Sequence, residues 1–259
     1  MAKIKSQENL RRLRRSGDIL TTVLKELRNK TSKGVSLMDL EKYARNRIKD
    51  LGGSPAFLGY KPSGSKKAYP ASICTSVNNV VVHGIPNDYN LKEGDILSID
   101  MGVDYEGLIT DSALTVLIGK VSSNAELLVS KTREALNESI KVCKAGESVK
   151  DIGRAVEKVV KGTNFKIIKN LTGHGVGFNL HEEPTIFNYE VAGDTPKIEN
   201  GMVLALEPML SFSSNFAKQR EDGSFVTEDG SPSAHFEVTL LVSQEENEIL
   251  TPWWSESTQ

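Results

Sequence analysis

The period of the apolar positions changes several times along the chain, and each change marks an element. Within residues 6–30, Leu10, Leu13, Ile19, Leu20, Val23, Leu24 and Leu27 recur at helical spacing and predict an amphipathic helix. Ser36, followed by Asp39 and Glu41, reads as the cap of a second helix that ends before Gly52-Gly53. Lys61-Pro-Ser-Gly-Ser-Lys-Lys67 is a polar loop. A strand is expected around Ile73–Val77, a turn at Asn78-Asn79, and a second run from Val80 to Gly84. Two β-like runs, Ile96–Val103 and Leu108–Leu117, flank Asp104–Gly107. Helices are predicted over Ala125–Cys143 and Val149–Lys161. Beyond residue 165 short strands return, with Val203–Glu207, Phe236–Val242 and Glu248–Leu250 the clearest. Blocks of strands and blocks of helices indicate an α+β fold rather than βαβ winding. No internal repeat or linker divides the chain, so one domain over residues 1–259 is expected, with an ordered core of about 6–252.

A net charge of −2 gives no bulk attraction to nucleic acid. Arg11, Arg12, Arg14 and Arg15 do form a basic face on the first helix. It is either a solvated face or a contact for RNA or the ribosome. Cys74 and Cys143 are too few for a disulfide framework, which points to a reducing, cytoplasmic setting. Neither a membrane span nor the apolar core of a signal peptide is present in the pattern.

Chemistry enters with the central hairpin. If Tyr105 and Glu106 form its tip, Asp100 and Asp111 face each other across the ladder. Directly opposed residues have Cβ atoms roughly 5 Å apart. Two bare carboxylates at that spacing repel by about 3 kcal/mol at an effective dielectric near 20. A cation between them, or a proton on one of them, relieves this. The alternative is a register shifted by one, with Asp111 capping a turn.

Three further features converge on the same idea. His174 lies between glycines in Thr-Gly-His174-Gly-Val-Gly, where the backbone can bring an imidazole close to another group, although a structural hydrogen-bonding role also fits. Glu207 and Glu237 each sit in a strongly apolar run with no basic residue in it, so a local ion-pair partner is missing. Four carboxylates and one imidazole suit a two-cation site of oxygen-preferring character, for Mn, Fe, Co or Zn, better than a structural zinc. Two divalent ions balance four carboxylates and acidify a water held between them, giving a nucleophile at neutral pH.

These residues resemble the type I methionine aminopeptidases. The resemblance covers about residues 6–252 and is carried by Val-Val-His83-Gly-Ile-Pro, Ile-Asp100-Met-Gly, Thr-Asp111-Ser, Gly-His174-Gly-Val-Gly, His181-Glu-Glu-Pro, Leu-Glu207-Pro-Met and Phe-Glu237. It implies the pita-bread fold, with a central antiparallel sheet and helices on its outer face. It also implies two divalent ions (Co, Mn, Fe, Zn or Ni) held by Asp100, Asp111, His174, Glu207 and Glu237. Glu207 is implied to act as general base and acid. His181 is implied to hydrogen-bond the scissile carbonyl, and His83 to stand beside the departing nitrogen. Phe57, Tyr60, Tyr69, Cys74 and Leu180 are implied to line the methionine pocket, where an unbranched thioether suits an apolar, aromatic slot. The implied reaction removes an initiator methionine from nascent polypeptide N-termini when the second residue is small. The implied setting is a cytoplasmic monomer with a possible ribosome contact, no membrane and no specific nucleic acid.

The chain departs from the family pattern at four places. It is longer between Tyr60 and Tyr69, reads Ser224-Phe225 where a Trp is common, has Val238 where His is usual, and has Leu180 where an aromatic residue is usual. By strand alternation Val238 should point away from Glu237's face. Two other readings share the scaffold. One is an Xaa-Pro aminopeptidase or prolidase, whose relatives carry a longer N-terminal domain. The other is a non-catalytic binding homologue, whose relatives lose metal ligands, whereas all five positions are filled here.

Overall fold

The computed structural model describes residues 3–61 and 67–254. Most of the polar loop expected at 61–67 therefore lies outside the described residues. Helix α1 (Gln7–Lys30) is capped by Ser6, whose side chain accepts from Asn9 N–H, and α2 (Leu37–Asp50) is capped by Ser36. Both starts follow the rule that a hydroxyl satisfies an orphan N–H of the first turn. Short strands β1 (Ser54–Pro55), β2 (Cys74–Val77) and β3 (Val80–Val82) lead into the hairpin of β4 (Ile96–Tyr105) and β5 (Leu108–Leu117). Helices α3 (Ser123–Val142) and α4 (Val149–Val160) follow. Then come β6 (Lys166–Ile167), β7 (Thr172–Gly175), β8 (Glu182–Phe187), β9 (Val203–Leu206) and β10 (Met209–Ser211). The described chain closes with β11 (Ala217–Gln219), β12 (Phe225–Thr227), β13 (Ser233–His235), β14 (Val238–Leu241) and β15 (Glu248–Ile249).

Among the described residues all strand pairings are antiparallel, and the strands divide among four small sheets rather than one. The hairpin belongs to a four-stranded sheet, and β7, β8, β9, β14 and β15 form a five-stranded one. Helix α1 packs on β4 and β5, while α3 and α4 pack on each other and on the strands of the second half. The main core joins α1, α2, β4, β9 and β14 through Leu20, Leu24, Ile48, Ile99, Leu204 and Val238, closed by Phe236 stacked on Trp253. Val238 thus points into the core, as the alternation implied.

Much of the arginine face of α1 is committed within the fold. Arg12 pairs with Glu8 and Glu106, Arg14 with Glu248, and Arg15 donates to the Leu51 carbonyl. No helix among the described residues is long and apolar enough to cross a membrane.

Two details of the strands differ from expectation, and both bear on the site. The hairpin turns at Glu106-Gly107, not Tyr105-Glu106. Both turn residues have positive φ (51° and 81°), the two-residue geometry that matches strand twist and that glycine accommodates without penalty. Asp100 therefore opposes Ala113, and Asp111 opposes Gly102. Each partner is displaced by two residues, so the two aspartates are diagonal neighbours rather than a direct pair. The face is unchanged because side-chain direction repeats every second residue.

The second difference concerns the glutamates, which the sequence pattern places within or at the end of continuous strands. The expected strand Phe236–Val242 starts later, as β14 at Val238, and Glu237 occupies the break between it and β13, which ends at His235. Glu207 lies in the matching break between β9 and β10. At both breaks the chain passes between the same two sheets, since β9 and β14 pair in the five-stranded sheet and β10 and β13 pair in a three-stranded one. A local break in the ladder re-aims a side chain, and here it turns both carboxylates into the interior.

Candidate metal centre and cleft

The two breaks are rigidly held. The Glu237 carbonyl accepts from Ser112 Oγ (2.6 Å) and from Trp253 Nε1 (3.1 Å), and its N–H donates to the Ala113 carbonyl (2.9 Å). Thr239 Oγ1 accepts from Asp111 N–H and donates to the Asp111 carbonyl, at 2.8 and 2.7 Å. On the other side, Asn188 Nδ2 donates to the Glu207 carbonyl at 3.1 Å. The hairpin and the two breaks are thereby stitched into one unit that presents Asp100, Asp111, Glu207 and Glu237 to one cavity of about 190 Å³. His174, from β7, faces the same cavity.

All five predicted ligands are therefore together. Asp111, His174 and Glu237 each offer a donor atom, and these atoms lie within 4.8 Å of one another. Asp100 and Glu207 line the cavity beside them. All four carboxylates are buried, with exposures of 2–8%. Asp100 Oδ1, Asp111 Oδ1 and Glu237 Oε1 have no hydrogen-bond partner. No lysine or arginine pairs with any of the four among the described residues. The alternative of local ion pairs for Glu207 and Glu237 is thus not what the fold uses. Burial first, and the neighbouring Asp111 charge second, push the Asp100, Glu207 and Glu237 carboxyls well above the ordinary carboxylate range. Burial raises Asp111 to about 7. Stranded buried oxygens carry a desolvation penalty that only protons or cations relieve.

His174 is prepared as a ligand. Its Nδ1 lies 2.9 Å from the Gly175 carbonyl, which can only accept, so the ring proton belongs on Nδ1 and Nε2 is left bare. Burial lowers its pKa to about 3, keeping it neutral. Nε2 points at Glu207 Oε1, 3.3 Å away. A bare imidazole nitrogen with unpartnered carboxylate oxygens is the donor set a divalent cation needs.

Beside this lies a larger cleft of about 660 Å³, and it gathers every residue implied for substrate: Phe57, Tyr60, Tyr69, Cys74, His83, Leu180 and His181. Phe57, Cys74 and Leu180 form its buried apolar floor, with Tyr60 and Tyr69 packed on them. The Tyr69 hydroxyl is turned away into the backbone, donating to the Ile73 and Gly84 carbonyls, so this residue offers the cleft its ring. Phe57 and His83 line both cavities. His83 has φ +59°, a left-handed conformation that a β-carbon strains and that functional sites tolerate. Phe225 stands edge-on to His83 at 5.5 Å, on the cleft wall.

Sequence reasoning missed two parts of this site. His235 is 1% exposed, its Nε2 is 3.6 Å from Glu207 Oε2, and neither ring nitrogen has a partner. Its spacing of two from Glu237 was an available signal, since such residues share a face in extended chain. All four histidines of the chain thus converge here. The rim formed by Gln219, Arg220, Glu221 and Asp222 was also missed, because a polar turn ending at Gly223 looks like any surface loop.

Residues 11–244 match the model of metallopeptidase family M24. The chain belongs to that family. Among curated proteins it is 41% identical over 250 residues to the methionine aminopeptidase of Aquifex aeolicus, covering 95% of this chain and 97% of the relative. Against the crystal structure of methionine aminopeptidase from Thermotoga maritima the TM-score is 0.91 at 38% identity, covering 97% of this chain and 99% of that one. Prolidase from Pyrococcus furiosus has a TM-score of 0.75 at 18% identity, and the match spans only 65% of its length. That likeness shows the fold alone. The fold is the pita-bread arrangement of this M24 family, and a divalent metal is its cofactor.

Proposed function

We propose that this chain is a metal-dependent aminopeptidase that removes N-terminal methionine from polypeptides whose second residue is small. The observation that carries the reading is one juxtaposition. Three buried carboxylate oxygens without partners and a bare His174 Nε2 face a cavity that adjoins an apolar, aromatic cleft. Asp100, Asp111, His174, Glu207 and Glu237 would hold two divalent ions, whose charge neutralises the carboxylates and makes water acidic enough to attack at neutral pH.

The chain's own side chains then divide the work. Phe57, Cys74, Leu180, Tyr60 and Tyr69 hold the methionine side chain and exclude water from it. Glu207 takes a proton from the attacking water and passes it to the leaving amine. Its central position between the imidazoles of His174 and His235 suits that task. His181 donates to the scissile carbonyl oxygen and stabilises the oxyanion. His83 stands beside the departing nitrogen, and Phe225 closes the wall where a larger indole is common among relatives.

The test is a peptide panel with metal-loaded protein. Release of methionine from Met-Ala-Ser but not from Met-Lys-Ser is expected. Cleavage of Xaa-Pro peptides without action on Met-Ala-Ser would replace this reading with the prolidase-type one. The enzyme acts as a single-domain monomer on nascent chains in the cytoplasm. A ribosome contact would have to use Arg11 and the outer part of α1, and co-sedimentation with ribosomes tests it.

A further inference from the structure

Tyr60 belongs to the cleft wall, yet its hydroxyl does not face the slot passively. It lies 2.7 Å from Nδ1 of His181, with the two rings 5.2 Å apart. That is a short hydrogen bond for an oxygen and a ring nitrogen. Which partner donates determines what His181 can do. A neutral imidazole carries one ring proton, so a proton on Nδ1 leaves Nε2 an acceptor, and a proton on Nε2 makes it a donor. The pair is an imidazole and a phenol 2.7 Å apart, close enough that one must donate to the other. A phenol is the stronger acid of the two and an imidazole nitrogen the stronger base. The O–H therefore donates to Nδ1, and the ring proton of His181 sits on Nε2.

We infer that Tyr60 is a positioning residue that fixes the Nε2–H tautomer of His181, so that His181 can donate to the scissile carbonyl oxygen. The inference rests on the role of His181 given above. The scaffold supports it: Tyr60 is anchored on both sides, its N–H donating to the Phe57 carbonyl (2.9 Å) and its carbonyl accepting from Tyr69 N–H (2.8 Å). These backbone bonds to Phe57 and Tyr69 keep Tyr60 in place. His181 in turn stands edge-on to the ligand His174, with centroids 4.5 Å apart, which sets its distance from the metal centre.

Tyr60→Phe keeps the ring and its packing and removes only the donor. Loss of a partner that orients a working histidine commonly costs 10–100-fold. On Met-Ala-Ser the expected result is a fall in kcat of about tenfold with KM changed by less than about twofold. The same substitution in a His181→Ala background should have no further effect on kcat. Nitrogen NMR of His181 supplies a readout independent of turnover: a single Nε2–H tautomer in the wild type and a mixture in Tyr60→Phe. A raised KM with unchanged kcat, an equal loss in the His181→Ala background, or an unchanged Nε2–H tautomer in Tyr60→Phe would each overturn the inference. If the wild-type protein releases no methionine, the functional reading fails, and the tautomer measurement still decides the role of Tyr60.

Discussion

At the scale of single residues, the proposed ligand set rests on charge without compensation. Asp111 has both backbone groups satisfied by Thr239, while its Oδ1 has no partner. Asp111→Asn removes a charge and almost no volume, so metal content and activity should fall together while the fold stays intact. Unchanged metal content, measured by atomic emission, would exclude Asp111 as a ligand. His181→Ala is expected to keep the metals and cut turnover by about 10²-fold or more, the usual cost of one oxyanion donor. Stopped peptide assays with parallel metal analysis check both halves of that statement. The carboxylates and His174 were legible in the sequence because a carboxylate in an apolar strand, or a histidine among glycines, is conspicuous, whereas the role of His181 was implied only by the family resemblance. His235 offered only its spacing of two from Glu237, and it is the fold that shows its ring meeting Glu207.

At the scale of elements, the sequence pattern located the helices and strands but not the breaks between them. Alternation continues through Phe236-Glu237, so nothing in the run betrays that the ladder changes sheets there. The hairpin register had a similar limit. Asp-Tyr-Glu-Gly admits two tips, and only the positive φ at Glu106 and Gly107 selects between them. The error was harmless to the site because it moved partners by an even number of residues. The close approach of β7 to β9 has a sharper consequence. A β-carbon on Gly173 would lie 2.5 Å from the Ala205 carbonyl oxygen, and His174 is paired with Ala205 in that ladder. Gly173→Ala must push the strands apart. Overpacking of this kind costs about 1–3 kcal/mol, or roughly 2–4 °C of melting temperature per kcal/mol in a chain of this size. Calorimetry should show a drop of about 5 °C, and weaker metal binding should accompany it because His174 moves with the strand.

At the scale of the whole molecule, the cluster links stability to pH. In the metal-free protein Asp111 titrates near 7 and the other three carboxyls higher than usual, so the folded state holds protons that the unfolded state releases near pH 4. Their contribution to stability is present at low pH and is lost as pH rises through the folded pKa. The histidines oppose this. Burial lowers His174 and His235 to about 3 and His83 to about 4, so their contribution grows with pH until about 6.5, where unfolded histidine is neutral. Between about pH 4 and 6.5 the two groups offset each other. Above that Asp111, held up at about 7, still releases its proton, and the metal-free protein should lose stability as pH rises. Saturating divalent metal should abolish the loss. Thermal melts across pH 6.5–8.5 with and without metal test this, and a metal-free protein that grows more stable over that range would contradict it. Anomalous diffraction from crystals grown with manganese addresses the central claim most directly. Two peaks are expected, each within bonding distance of side chains from the set Asp100, Asp111, His174, Glu207 and Glu237. A cavity without a peak, or manganese bound elsewhere while these carboxylates stay unliganded, would contradict the account.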